Sequence, residues 1–246
     1  MAQSFEGLRK PPSDLNGGAS RLSDYAEDAT GFGALELRTT RDLLVRPRAV
    51  LDAYLNQGST GGGLYARPMR FYIALCGVLM FYLFLIGGTR QMLEMLPTDA
   101  LDPWVARSGK SREAFMNDAD GWLSLGIVPV GSVFYALGVA PFIKRWMRST
   151  WRIAFRATFA LFCAWTVPFL PFGPLPWIEE YRLIGSVMVC ALLVVAFVRM
   201  GRGLWWTGKW QAAGRSALLL LAIAVAGQIS MIPVLGIGIL GGLYGS

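Results

Sequence analysis

Apolar positions along the chain gather into five runs free of Asp, Glu, Lys and Arg, separated by polar segments rich in Arg and acids. Residues 71–88 (FYIALCGVLMFYLFLIGG) form a run of 18 and residues 121–143 (GWLSLGIVPVGSVFYALGVAPFI) one of 23. Residues 157–178 are the third, and it extends back toward Thr150 if Arg152 and Arg156 snorkel to the headgroups. Residues 183–198 are a run of 16 that gains length from Tyr181 and Arg182, and residues 216–246 a run of 31. About 20 helical residues cross roughly 30 Å of hydrocarbon. The pattern therefore predicts an all-α fold, a polytopic transmembrane helical bundle of about five spans. Two runs leave alternatives open. The last is longer than one simple span needs, and a re-entrant hairpin broken at Pro233 competes with a single crossing. In the third, Pro168, Pro171, Pro174 and Pro176 stop a helix. Either it starts near Thr150 and ends near Val167, with the Pro-rich part leaving at the surface, or irregular backbone lies within the membrane. The first alternative is favoured.

Composition supports lipid as the solvent of these runs. Hydrophobic residues make up 54% and charged residues 16%, with a mean hydropathy of +0.45, far from the charge of about 25% that a soluble domain carries. Polar segments alternate in sign. Residues 38–70 hold six Arg against Asp42 and Asp52; residues 89–120 hold four basic residues against six acids; residues 144–156 are purely basic. Glu179 and Glu180 outweigh Arg182, and Arg199, Arg202, Lys209 and Arg215 follow with no acid. Cytoplasmic loops are the basic ones. The chain is thus expected to be a multi-pass protein of the inner membrane with its N-terminus cytoplasmic and its C-terminus outside. The pI near 9.6 then follows from topology, and no nucleic-acid partner is implied. No cleavable signal peptide is evident in the first 70 residues.

Residues 1–34 mix Pro, Gly, Ser and charges and read as a disordered cytoplasmic tail. Residues 35–70 form a juxtamembrane amphipathic segment and linker, and residues 71–246 the transmembrane helical domain. Within the segment, Thr39 or Thr40 is placed to cap one short helix and Pro47 to open a second. Val50 and Leu51 recur at helical spacing with Tyr54 and Leu55, and Arg48 faces Asp52. A basic amphipathic segment beside an anchor is expected to lie on anionic lipid through Leu43, Leu44, Val50, Leu51, Tyr54 and Leu55. Arg38, Arg41, Arg46 and Arg48 are its candidate lipid-surface contacts. Packing against the protein's own loops is the alternative. GSTGGG at residues 58–63 is a flexible joint, and the aromatic and basic mixtures at 144–156 and 204–210 read as membrane belts.

The residues RTTRDLLVRPRAVLDAYLNQG, followed by YARPMRFYIALCGVLMFYLFL, resemble the bacterial membrane family DUF3667, a domain of unknown function. The matching positions are Leu43, Leu44, Pro47, Tyr54, Leu55, Tyr65, Pro68, Arg70, Phe71 and Tyr72, within about 50 of the 246 residues. The chain lacks that family's N-terminal CxxC zinc ribbon and carries QGSTGGGL in place of its tight basic turn. The resemblance implies a multi-span membrane fold and no particular activity.

Candidate chemistry is sparse. There is no His, and Cys76, Cys163 and Cys190 stand singly in apolar runs, so neither a His-based catalytic pair nor a zinc or disulfide spacing is present. No cofactor is implied. The five runs contain no ionisable acid or base, which disfavours a proton-coupled pump or voltage sensor. Gln228 and Ser230, with the helix-breaking Pro168 and Pro171, form the candidate intramembrane polar or broken-helix site. Ala222, Ala226 and Ser230, and the pair Gly238 and Gly242, suit close helix packing within the chain. Asp118, Asp120, Glu179 and Glu180 border spans and read as a solvated rim. The favoured expectation is a non-catalytic binding or assembly component whose partners are membrane lipids, with a protein partner or homo-oligomer left open. A small transporter or channel subunit using the third span is one alternative, and a membrane enzyme acting on lipid-linked substrates through the rim carboxylates the other.

Overall fold

A computed structural model describes residues 33–86, 89–94 and 96–245; the tail expected over residues 1–34 lies outside them but for its last two residues. The described residues form nine α-helices and no β-strand: α1 (Ala34–Val45), α2 (Pro47–Asn56), α3 (Pro68–Ile86), α4 (Arg90–Glu94), α5 (Thr98–Ser108), α6 (Arg112–Met147), α7 (Trp151–Phe169), α8 (Arg182–Gly201) and α9 (Lys209–Tyr244). Five of them, α3 and α6 to α9, are long and apolar enough to cross a membrane. The molecule is an all-α, multi-pass membrane protein.

Local chemistry sets the helix ends. Ser111 caps α6 by accepting the Ala114 N–H at 3.2 Å; Glu113 lies in its first turn and Lys144 and Arg145 in its last, matching the helix dipole. Arg148 then closes the helix in the left-handed region at φ 49°, its N–H on the Lys144 carbonyl. Pro47 opens α2, as its fixed φ and missing N–H favour.

The central helix is α7, 61% of whose spanning window is buried, against 22% for α9. It packs on α3, α6 and α8 and receives α1 and α2 at one end. The 36-residue α6 and α9 lie antiparallel along their length, Gly126 near Ile237 and Gly138 near Ala226. Each is roughly 54 Å long, well beyond the hydrocarbon thickness. One apolar cluster, with Val50, Phe71, Phe162, Phe197 and Trp205, occupies the Arg-rich end. A second, with Leu83, Leu93, Leu101, Phe115 and Leu123, occupies the opposite end.

The structure settles the two open alternatives as the favoured readings had them and changes some helix ends and burial. The final run is one unbroken helix with Pro233 inside it, not a hairpin. In lipid a break would leave backbone groups unsatisfied, whereas a proline loses only one bond. Likewise α6 takes in Pro129, Pro141 and the charged residues 112–120 that read as loop. The third span starts at Trp151 and ends at Phe169, with Pro168 in its last turn. Three 3-10 turns (Leu170–Phe172, Leu175–Trp177, Glu179–Tyr181) then carry the chain to α8.

Thr39 does not cap α1. The Glu36 carboxylate accepts the Gly33 N–H at 3.0 Å instead, and Thr39 is wholly buried. The apolar face expected on lipid is also buried: Leu43, Val50, Leu51 and Tyr54 join the cluster around α7 and α8, while Leu44 stays exposed. Protein wins over lipid here in part because the one polar group on this face, the Tyr54 hydroxyl, finds the Ala66 carbonyl at 2.6 Å, a partner that hydrocarbon lacks. Trp205, read as a membrane-belt residue, is fully buried and stacks on Phe197 with ring centroids 5.3 Å apart.

Candidate functional site

Where the two apolar clusters meet, α3, α6, α7, α8, α9 and the proline turns line a half-open cavity of about 350 Å³. The turns form one wall because glycines admit them: Gly173 sits against Tyr82 and Leu79, and Gly185 of α8 against the Pro176 backbone. Trp165 ties α7 to α8 through its indole N–H, 3.0 Å from the Val189 carbonyl, and its ring lines the cavity.

A short polar chain runs along one side. Tyr72 Oη and Ser132 Oγ lie 3.0 Å apart, Cys76 Sγ is 3.5 Å from the same oxygen, and Ser132 also donates to the Val128 carbonyl at 2.6 Å. Tyr135, Thr166 and Ser230 add hydroxyls, and Ser230 donates to the Gly227 carbonyl of its own helix at 2.8 Å. On the α8 wall Ser186 and Cys190 are exposed at the bundle surface. No Asp, Glu, Lys or Arg lines the cavity among the described residues. Such a lining can hold and orient an apolar molecule with one or two polar groups. It offers no acid or base poised for proton transfer.

At the Arg-rich end, α1, α2 and the residues before α3 form a polar clasp. Thr39 Oγ1 donates to the Leu35 carbonyl at 2.6 Å and accepts the Ala66 N–H at 3.0 Å, and Tyr54 donates to the Ala66 carbonyl at 2.6 Å. Both polar groups of the Ala66 backbone are thereby satisfied. Asp42, almost wholly buried, accepts from Arg41 (3.0 Å), Arg46 (3.1 Å) and Tyr65 (3.1 Å). Burial pushes its carboxyl up, and the bonds from Arg46, Arg41 and Tyr65 outweigh that, holding it below its ordinary value of 3.8. Burial, then Asp42, raise the Tyr65 hydroxyl, which stays protonated and donating.

The sequence-selected residues therefore separate. Arg38 lies over the Tyr65 ring at 5.9 Å, and Arg41 and Arg46 hold Asp42 with their guanidinium groups largely exposed. Arg48 binds Asp52 at 2.8 Å and, across the fold, the Met200 and Arg202 carbonyls at 3.0 and 2.6 Å, fastening α2 to the end of α8. Of the intramembrane candidates only Ser230 lines the cavity. Pro168 and Pro171 stand beside the turn that walls it, and Gln228 faces outward from α9. Sequence reasoning selected none of Tyr72, Ser132, Tyr135 and Trp165 as site residues, although Ser132 and Tyr135 are visible there as polar positions within an apolar run; Tyr72 and Ser132, 60 residues apart, meet only through the packing of α3 on α6. At the opposite end Asp118 pairs with Lys110 at 2.6 Å and Asp120 accepts from Thr89, while Glu179 and Glu180 are exposed. Among the described residues no three His, Cys, Asp or Glu side chains are grouped to hold a metal ion.

No protein-family model, curated protein or solved structure matches the chain.

Proposed function

We propose that this protein is a non-catalytic binding component of the bacterial inner membrane, taking up a lipid-soluble molecule in the cavity between α3 and α6 to α9. The observation that carries the reading is the lining: apolar and aromatic walls, a few hydroxyls and no charged side chain. A cavity of about 350 Å³ falls in the range of small-molecule sites, roughly 300–1,000 Å³. Exposed Ser186 and Cys190 on its α8 wall supply a lateral route from the bilayer. In this reading the Arg-rich end faces the cytoplasm by the excess of Lys and Arg there. Arg38, Arg41 and Arg46, each still exposed, meet anionic headgroups from the folded clasp. The relation to DUF3667 belongs to the same proposal, supported by Pro47, Tyr54, Tyr65 and Tyr72, all buried about the clasp and the start of α3.

A transport role is the second reading, favoured by one feature: the proline turns supply Pro176 and Trp177 to the cavity wall, so their displacement would open it toward the acidic end. Extraction of the whole protein from its membrane in polymer discs, followed by mass spectrometry of co-extracted molecules, tests the binding reading. A defined lipid-soluble species should accompany the wild type and be lost on Ser230→Phe, which fills the cavity, at unchanged protein yield. Equal recovery from both would exclude the cavity as its site.

A further inference from the structure

A second feature lies at the Arg-rich end, apart from both the cavity and the clasp. The antiparallel α6 and α9 leave a groove on the bundle surface lined by Leu137, Phe142, Leu218, Leu221, Val225 and Ile229. Gly138 sets its depth, since a Cβ there would stand 3.2 Å from the Ala226 Cβ and 3.4 Å from the Ala222 carbonyl oxygen, so the helices approach closely and the larger side chains stand up as walls. Along the same two helices, one to two turns nearer the basic end, Arg145, Arg148 and Arg215 line a cleft with Trp146. Arg215 donates to the Trp205 carbonyl and lies 5.4 Å from the Trp146 ring centroid, while Arg145 and Arg148 are exposed. An adjoining pocket adds Lys144, held 4.7 Å over the Trp151 ring, and Ser149.

Among the described residues this concentration of positive charge has no acidic partner. Residues 121–178 and 181–246 contain no Asp or Glu, and none of these four cations forms an ion pair among the described residues. Of the acids described at this end, Asp42 and Asp52 are taken by Arg41, Arg46 and Arg48, and Glu36 accepts the Gly33 N–H. Among the described residues the buried side-chain N and O atoms without a partner, on Ser149, Trp205, Trp206 and Ser216, fall in the segment after α6, the turn before α9 and the first turns of α9, with Ser149 and Ser216 next in the chain to Arg148 and Arg215. An apolar groove ending in a cluster of cations that form no ion pair among the described residues has the shape and charge of one ligand class, a phosphate with an acyl chain attached.

We infer that the α6–α9 face is a binding site for a single anionic phospholipid, its phosphate held by Arg145, Arg148 and Arg215 and one acyl chain lying in the groove past Gly138. Arg contributes planar, multiply donating contacts to phosphate, and tryptophans such as Trp146 and Trp151 suit the headgroup layer where this cleft would lie.

Native mass spectrometry of the full chain in mild detergent, titrated with phosphatidylglycerol or phosphatidylcholine, is the test. The wild type should retain one phosphatidylglycerol in preference to phosphatidylcholine. The double change R145Q/R148Q, at two exposed side chains, should weaken that retention roughly 30-fold, whereas R67Q/R152Q, which removes the same charge from the same end, should leave it intact. Val225→Trp, blocking the groove, should weaken it with the cations untouched, and millimolar glycerol 1-phosphate should not displace the lipid. Equal loss in the control pair, equal retention of phosphatidylcholine, no effect of Val225→Trp, or displacement by glycerol 1-phosphate would each overturn the site as drawn.

Discussion

Replacing Gly238 with Ala should destabilise the protein, whereas the same change at Gly236, two residues earlier on α9, should not. A Cβ on Gly238 would stand 2.6 Å from Leu123 Cγ and 2.9 Å from its Cδ1, and Leu123 is fully buried, so its side chain has nowhere to rotate. At Gly236 no atom lies within 4 Å of the added carbon. Overpacking a filled interface costs about 1–3 kcal/mol, while Ala in place of a helical Gly gains up to about 1 kcal/mol at either position. The net expectation is a loss of about 1–2 kcal/mol for Gly238→Ala and a change between zero and a gain of about 1 kcal/mol for Gly236→Ala. For a chain of this size that is an apparent melting shift of roughly 2–8 °C downward in the first case. The assay is thermal loss of the monodisperse peak in mild detergent. Truncating Leu123 to Ala in the Gly238→Ala background should recover part of the loss relative to additivity, because the two sites share one contact. Equal melting of the two glycine variants would refute the close α6–α9 approach at this level.

Three further outcomes follow from other parts of the fold. Asp42→Asn removes a charged acceptor from Arg41, Arg46 and Tyr65, and its loss should cost on the order of 1.5–3 kcal/mol at neutral pH. Because the folded carboxyl lies below its ordinary 3.8, that contribution is complete above about pH 4 and is lost only as pH falls through the folded value; melting of wild type and variant that already converge at pH 5 would contradict the clasp. Arg48→Gln cuts α2 from the Met200 and Arg202 carbonyls, so proteolysis within residues 58–63 should accelerate several-fold at near-normal expression, and an unchanged rate would remove Arg48 as a fastener. Reporters fused after Ser246 and within residues 89–120 should both read outside, since five spans put the C-terminus opposite the N-terminus; a cytoplasmic signal after Ser246 would break the five-span topology.

Span number was legible because an uncharged run of sufficient length has few alternatives in water or lipid. Helix ends were not. Pro129, Pro141 and Pro233 look like breaks by the rules of soluble helices, yet all three sit inside helices, since a membrane penalises a broken backbone more than one missing bond. Helical spacing correctly grouped Val50, Leu51 and Tyr54 on one face of α2, but periodicity names a face and not what covers it. For Trp205 a signal was present and unread: Gly201, four residues earlier, is where a side chain would collide with the indole. Ala222 and Ala226 and the pair Gly238 and Gly242 were read correctly as packing positions within the chain, meeting Gly138, Leu123 and Phe115 of α6, while Ser230 of the same stripe lines the cavity. Of the cavity only Ser230 was singled out in the sequence, because its hydroxyls come from separate helices and none carries a local motif.

The binding reading is tested most directly by a density map of the full protein in lipid discs, at a resolution that shows side chains. It predicts elongated non-protein density between α3, α6, α7 and α8, with a polar end within hydrogen-bond reach of Ser132 or Tyr135 and a path to the bilayer past Ser186 and Cys190. A cavity closed by Trp165 and Tyr135, or a water-filled passage open at both ends of the bundle, would contradict it.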